Sequence, residues 1–279
     1  MLGPQTTTLF HTTLCWLCAA TLNAESLTGK VASADPDAQT LTLEDGRVLK
    51  VGAGDARIGY VGQTIKGELE PLTEPPTLYA IWPMDEVNVA VEKSVNKKLH
   101  NDTMLQGRKA FRSLGDYLPD FALYNQDGEF VRKGTYQGKN TVYNFIFTRC
   151  QMPTMCPATT ARTLRLQKMI DEAGLKDAQL VTITFDPEYD TPGILNEYGV
   201  QRGAHFGNYT LLTGDPEAIE DLMKQFGILT IDEDGTINHT MATILTDGNG
   251  KVIYRKEGST WTPQDFFDRL SEREQDAGS

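Results

Sequence analysis

The stretch 145-FIFTRCQMPTMCPATT-160 decides how this chain reads. An apolar run ends at Thr148, two cysteines follow with five residues between them, and Pro157 opens a helix-like segment. A cysteine between a strand and a helix N-terminus meets unpaired backbone N–H groups, which favour thiolate. Thiolate attacks disulfides and also binds soft metals, so position alone leaves a redox pair and a metal site equally open. A structural disulfide is the bland alternative, and such bridges seldom sit at the end of a central strand. Spacing adds information. Thioredoxin-type reductants place two residues between their cysteines, whereas a five-residue loop can splay two thiolates around a metal or close on oxidation. Met152 and Met155 lie inside the loop and add thioether sulfur, a soft donor suited to Cu(I). Loop packing is the plainer use for them.

Around this stretch the pattern alternates strand and helix. TVYNFIF (141–147) is a fully apolar strand preceded by a hairpin, FALYNQDGEFVR (121–132). ATTARTLRLQKMIDEAGL carries Leu166, Met169, Ile170 and Ala173 on one helical face, and AQLVTITF (178–185) is a second buried strand. Thr191-Pro192 and Asp215-Pro216 each put a capping residue before proline, marking two helix starts with the strand NYTLLTGD between them. A hairpin around DGNG and a last helix from Thr262-Pro263 complete the order. The implied architecture is an α/β, thioredoxin-like domain over residues 116–279, with Cys150 just past a strand's carboxyl end. His239, in NHT before the DGNG hairpin, stands where ordinary thioredoxins carry a cis-proline facing the cysteines, and the chain has no proline between Pro216 and Pro263. It is the expected third metal ligand. His205 is left without a role, and His100 is expected to be solvated.

From Ser26 the texture is β: LTGKVASAD, QTLTLED, RVLKVGA, QTIKGELEPL and TLYAIWPMD are short alternating runs, with EDGR (44–47) as a hairpin turn. Five such strands predict a small all-β, OB-like barrel over 25–86, an accessory domain outside the cysteine chemistry. Residues 87–115, with KSVNKKLHNDTM at their centre, read as a linker or amphipathic connector. The first 24 residues contain no Asp, Glu, Lys or Arg, run apolar from Leu9 to Leu22 and end in small residues. They read as a signal peptide cleaved near Ala24, which predicts export to the periplasm or the outer face of a membrane. Cys15 and Cys18 form a CWLC inside that segment and are not expected to be functional. The net charge of −12, with no basic run, argues against nucleic acid as a partner.

With FTRC and CP after the apolar strand, DPEYDTP (186–192), LTGDPEAIEDLMKQFGI, and NHT before DGNGKV, the region from Asp116 onward resembles the SCO/SenC family of copper-binding, thioredoxin-fold proteins. The resemblance implies that Cys150, Cys156 and His239 bind one copper ion, Cu(I) or Cu(II), and that the domain supports assembly of the copper centre of cytochrome c oxidase, whose copper-bearing subunit would be its partner. It also implies that Asp186, an acidic position in the family, tunes the site; closing its own loop is the simpler use. The family's usual cysteine spacing is three residues, and five stand here. The runner-up function is therefore a thiol–disulfide oxidoreductase in which Cys150 and Cys156 form a redox-active disulfide. A peroxidase reading, with Thr148 beside Cys150, ranks third.

Overall fold

The computed structural model describes residues 25–70, 72–107, 111–228, 230–233, 236–258 and 260–278. The leader at 1–24, with Cys15 and Cys18, lies outside the described residues.

Five strands, β1 (Glu25–Asp35), β2 (Thr40–Leu43), β3 (Val48–Lys50), β4 (Thr64–Glu70) and β5 (Thr77–Pro83), close into a barrel in the order β1-β2-β3-β5-β4. Alternation sets which side chains point inward: Leu27, Val31, Leu41, Leu43, Leu49, Ile65, Leu78 and Ile81 fill the interior. Parallel pairing of β3 with β5 and antiparallel pairing of β4 with β1 leave no open edge. Between β3 and β4 lies a short helix that the alternation did not reveal, α1 (Ala53–Ile58), ended by Gly59 at φ 74°.

The segment expected as a linker or amphipathic connector contains helix α2 (Glu86–Gln106), capped by Asp85, whose carboxylate accepts from the Asn88 amide at 2.8 Å. Its buried side is Val95, Asn96, Leu99 and Thr103, too polar a stripe to show as amphipathic. Asn96 clamps the backbone of Ala122 from both sides at 3.1 Å. His100, expected to be solvated, is partly exposed but also paired: its Nδ1 lies 2.9 Å from the buried Asp221 carboxylate and 3.4 Å from Glu217.

The rest is a seven-stranded mixed sheet built from β6 (Ala122–Asn125), β7 (Phe130–Arg132), β8 (Asn140–Ile146), β9 (Ala178–Thr184), β10 (Tyr209–Thr213), β13 (Ala242–Thr246) and β14 (Val252–Glu257). Their order is β14-β13-β8-β9-β10-β6-β7. The parallel strands β8, β9 and β10 form the middle and are buried on both faces, which explains their unbroken apolar runs. Helices α3 (Cys156–Ala173) and α4 (Pro192–Gln201) make the crossovers between them. The chain then reverses across the sheet through α5 (Pro216–Gln225) and ends in α6 (Pro263–Gly278), which packs beside α3. The hairpin–β–α–β–α–β–α–ββ–α order is the expected one, with an additional hairpin between α5 and β13: β11 (Thr230–Glu233) and β12 (Thr236–His239).

Barrel and sheet meet where α1 crosses α4. Gly54 touches the backbone of Gly193 so closely that a Cβ there would lie 1.8 Å from the Gly193 carbonyl oxygen. Arg57 donates to Asn196 at 3.0 Å, and Asn196 donates to Asp127 at 3.1 Å. Asp55 is enclosed in the same joint and accepts from the Tyr60 hydroxyl at 3.0 Å. Burial pushes its carboxyl up to about 7, with Glu197 adding repulsion and the Tyr60 hydrogen bond opposing the rise.

Two outcomes follow from this joint. Gly54→Ala should cost about 2–3 kcal/mol in urea unfolding through overpacking against backbone. Gly134→Ala, with nothing within 4 Å of the added methyl, should stay within about 0.5 kcal/mol. The second concerns pH. The folded chain holds a proton on Asp55 more tightly than the unfolded chain does, so its contribution is complete below pH 4 and is lost as pH rises through 7. The contribution is on the order of 4 kcal/mol, so Asp55→Asn should flatten the decline in stability between pH 5 and 8. A variant with the wild-type slope would remove Asp55 as its source.

Candidate metal and redox centre

The carboxyl end of β8 feeds the cysteine loop. After Ile146 the chain turns, with the Cys150 amide donating to the Phe147 carbonyl at 3.3 Å. A second turn, from the Met155 amide to the Met152 carbonyl at 3.1 Å, delivers Cys156 as the first residue of α3. No side chain caps this helix N-terminus; Pro157 follows at the second position, where a missing N–H costs nothing. Both cysteines are free thiols, Cys150 partly exposed and Cys156 buried.

Two effects act on Cys156 in opposite directions. The helix N-terminus and a backbone hydrogen bond from Phe147 favour thiolate, while burial and the neighbouring Cys150 sulfur disfavour it. Burial wins, and the Cys156 thiol is pushed up to about 12. At neutral pH Cys156 is therefore a protonated, sheltered thiol, and Cys150 is the one an incoming reagent can reach. Such a pair can close a disulfide after attack at Cys150, or give up its protons to a thiophilic cation. Met152 is 48% exposed, whereas Met155, next to Cys156, is half-buried.

The loop is anchored by a residue the sequence reading passed over. Asp190 is fully buried and accepts from the Thr148 amide at 3.0 Å, from the Thr148 hydroxyl, and from the Thr184 hydroxyl at 2.5 Å. Burial raises its carboxyl, while the hydrogen bonds from Thr148 and Thr184 oppose the rise. Because the Thr148 hydroxyl is committed to Asp190, it is turned to a structural task, and the peroxidase reading of Thr148 beside Cys150 loses its support. Asp186 closes its own loop, the simpler of the two expected uses, and also holds Arg149. Its carboxylate accepts from Arg149 Nε and Nη2 at 2.9 and 2.6 Å, fixing the residue before Cys150, while its backbone carbonyl closes the loop by accepting from Asp190 at 2.8 Å. Arg149 also lies over the Tyr189 ring at 4.2 Å. The signal for Asp190 was DPEYDTP itself, whose second aspartate stands just before the Thr191-Pro192 helix start and meets Thr148 only when β8 and β9 lie side by side. Thr191 does occupy the N-cap of α4, but without a side-chain cap bond; Asp215 caps α5 as expected, accepting from the Ala218 amide at 3.0 Å.

His239 is the last residue of β12, paired with Thr230. It leads into β13, which runs antiparallel to β8, so the backbone at His239 approaches the end of the sheet from which the cysteine loop leaves. Its side chain lies outside the described residues. Among the described residues no three His, Cys, Asp or Glu side chains form a metal cage. His205 pairs with Asp171 at 2.7 Å on the surface.

Asp190→Asn should be the most damaging single change outside the cysteines. It sets an amide N–H₂ against three donors and leaves buried groups unsatisfied, a loss of about 2–4 kcal/mol. Urea unfolding checks the magnitude, and faster alkylation of Cys156 would report the loosened loop. Unchanged stability would mean that Asp190 does not hold it.

Residues 110–273 match the family model described as SCO1/SenC. The SCO1 protein homolog of Bacillus subtilis (strain 168) is 31% identical over 149 residues, which is 52% of this chain and 76% of that protein. Among solved structures, a SCO1/SenC family lipoprotein from Bacillus anthracis is 33% identical, with a TM-score of 0.52, covering 57% of this chain and 95% of that one. BsSco, described as a member of the Sco family of cytochrome c oxidase assembly proteins with a disulfide switch, is 28% identical, with a TM-score of 0.51, covering 58% of this chain and 95% of its own. The barrel falls outside the matched residues. The match takes in the whole sheet, the cysteine loop and most of α6, and the chain belongs to the SCO1/SenC family.

Proposed function

We propose that this protein binds one copper ion through Cys150, Cys156 and His239 and delivers it to a copper-bearing subunit of cytochrome c oxidase. The observation that carries the reading is the pair of free, neighbouring thiols at the head of α3, one reachable and one buried. A buried thiol with its proton held this firmly is a poor nucleophile, but a soft cation displaces that proton because the metal–thiolate bond replaces it. Two thiolates, one imidazole and a nearby thioether suit copper, and oxygen donors are absent from the set. Membership of the SCO1/SenC family supports the same assignment.

A second reading, thiol–disulfide exchange, rests on the same proximity. Cys150 would attack and Cys156 would resolve, giving a reversible disulfide that competes with copper for both sulfurs. On this view the two functions alternate with redox state and share one loop.

The strand order of the barrel, with its parallel β3–β5 closure, supports an OB-like accessory domain ahead of the thioredoxin-like domain. We place the protein on the outer side of a membrane, consistent with the leader-like first 24 residues; among the described residues no helix is long and apolar enough to cross a bilayer.

Copper content of reduced protein after dialysis tests the assignment: one ion per chain is expected. Cys150→Ser or Cys156→Ser should each weaken Cu(I) affinity at least a hundredfold, and His239→Ala about tenfold or more. Full affinity in His239→Ala would remove the histidine from the set. Met152→Leu/Met155→Leu keeps the bulk of both side chains and should cost less than about 1.5 kcal/mol in stability, yet weaken Cu(I) more than Cu(II), with Met155 responsible for most of the change.

A further inference from the structure

His239 ends a hairpin that joins neither the barrel nor the seven-stranded sheet. Among the described residues β11 and β12 pair only with each other, from Thr230–His239 to Glu233–Thr236. A two-stranded ribbon is marginal on its own in water, so its direction is set by whatever holds its stem. Both ends of that stem are anchored. Ile228 is buried, and its amide donates to the Met223 carbonyl of α5 at 2.8 Å. Met241 is buried, and its carbonyl accepts from the Gly258 amide at 2.7 Å. The Thr240 hydroxyl crosses the stem to the Gly227 carbonyl at 3.3 Å.

Gly227 is the narrow point. Its φ is 71°, in the left-handed region, and the space a side chain would need is already taken. An added Cβ would lie 2.6 Å from Phe111 Cδ2 and 2.8 Å from Arg255 Nη2. These two side chains also touch each other, with the Arg255 guanidinium 4.4 Å from the centre of the Phe111 ring. Arg255 is fixed by the sheet: it stands in β14 opposite Ile244 of β13, its side chain is 8% exposed, and its Nε donates to Glu257. Phe111 is fixed through its neighbour. The Arg112 amide and Nε donate to the Gln225 carbonyl and side chain, each at 2.8 Å, two residues before Gly227.

We infer that Phe111 and Arg255 are positioning residues for His239, clamping Gly227 so that the β11–β12 hairpin leaves the sheet in one direction. The clamp acts on the backbone of the stem and reaches the histidine through the hairpin. That His239 then meets copper rests on the three-ligand reading proposed for the cysteine centre; the clamp itself does not. Phe111 is 43% exposed, so truncating it removes the ring from Gly227 without opening the core.

Hydrogen exchange on the metal-free full chain and Cu(I) competition on the reduced full chain test the clamp and its link to copper separately. In Phe111→Ala the amides of β11 and β12 should exchange at least threefold faster, while those of β8 and β9 keep the wild-type rate. Arg255→Lys, which keeps the charge but loses the planar stack, should do the same, and Phe111→Tyr, which keeps the ring, should not. Phe111→Ala should lower Cu(I) affinity at least threefold in the wild-type background and leave it unchanged in a His239→Ala background, because the ring acts through the histidine. Circular dichroism melting checks that each variant is folded. Unchanged hairpin exchange, or an equal rise throughout the sheet, would overturn the clamp. So would an equal loss of Cu(I) affinity in both backgrounds, or an affinity that Phe111→Ala leaves intact while His239→Ala lowers it. Faster hairpin exchange together with full Cu(I) affinity in His239→Ala would uphold the clamp and remove the histidine from the copper site instead.

Discussion

The Asp190 carboxylate is buried among hydroxyls and an amide at the junction of β8, β9 and α4, and the active end of the molecule is organised around it. Charge in so enclosed a place is costly unless each oxygen is satisfied, and here Thr148 and Thr184 satisfy both. The same bonds join the end of one parallel strand to the end of the next and stop the chain two residues before Cys150. The cysteine loop, otherwise made of two loose turns, thus starts from a fixed point.

That anchoring makes the electrostatics of the thiols possible. A cysteine at a helix N-terminus is ordinarily activated. Here the loop brings Cys150 against Cys156 and buries the latter in the core beneath α3, and the desolvation cost exceeds the helix contribution. The outcome is a pair with divided labour: an accessible sulfur at the surface and a reserved one below. Arg149, the residue before Cys150, is held by Asp186 outside the core.

Mechanical continuity runs from the barrel to this site. Gly54 and Gly193 let α1 and α4 approach backbone to backbone, and α4 begins two residues after Asp190. On the other side α2 ties the barrel to α5 through His100–Asp221 and the Gln225 contacts with Asp102 and Thr103. A cavity lined by Glu92 and Tyr124 lies between these two attachments and includes residues of the Asp186–Asp190 loop in its wall. Barrel, cavity and cysteine loop are therefore parts of one connected framework.

Period-2 alternation determined the five barrel strands, because a barrel interior must be apolar on every second residue. Unbroken apolar runs marked β8 and β9, and proline after a capping residue marked α4 and α5. The two cysteines at a strand–helix junction were equally legible, since residue type and location together state the chemistry. What tertiary structure decided was everything that depends on a distant partner. Helix α2 read as a linker or amphipathic connector because it is held by Asn96, Thr103 and His100, polar groups whose partners lie far along the chain. Asp190 carried no sequence signal of its own, because its partner Thr148 lies 42 residues away and only the fold brings it alongside. The protonation of Cys156 could not be read at all: local position favours thiolate, and only burial, a property of the assembled core, reverses it.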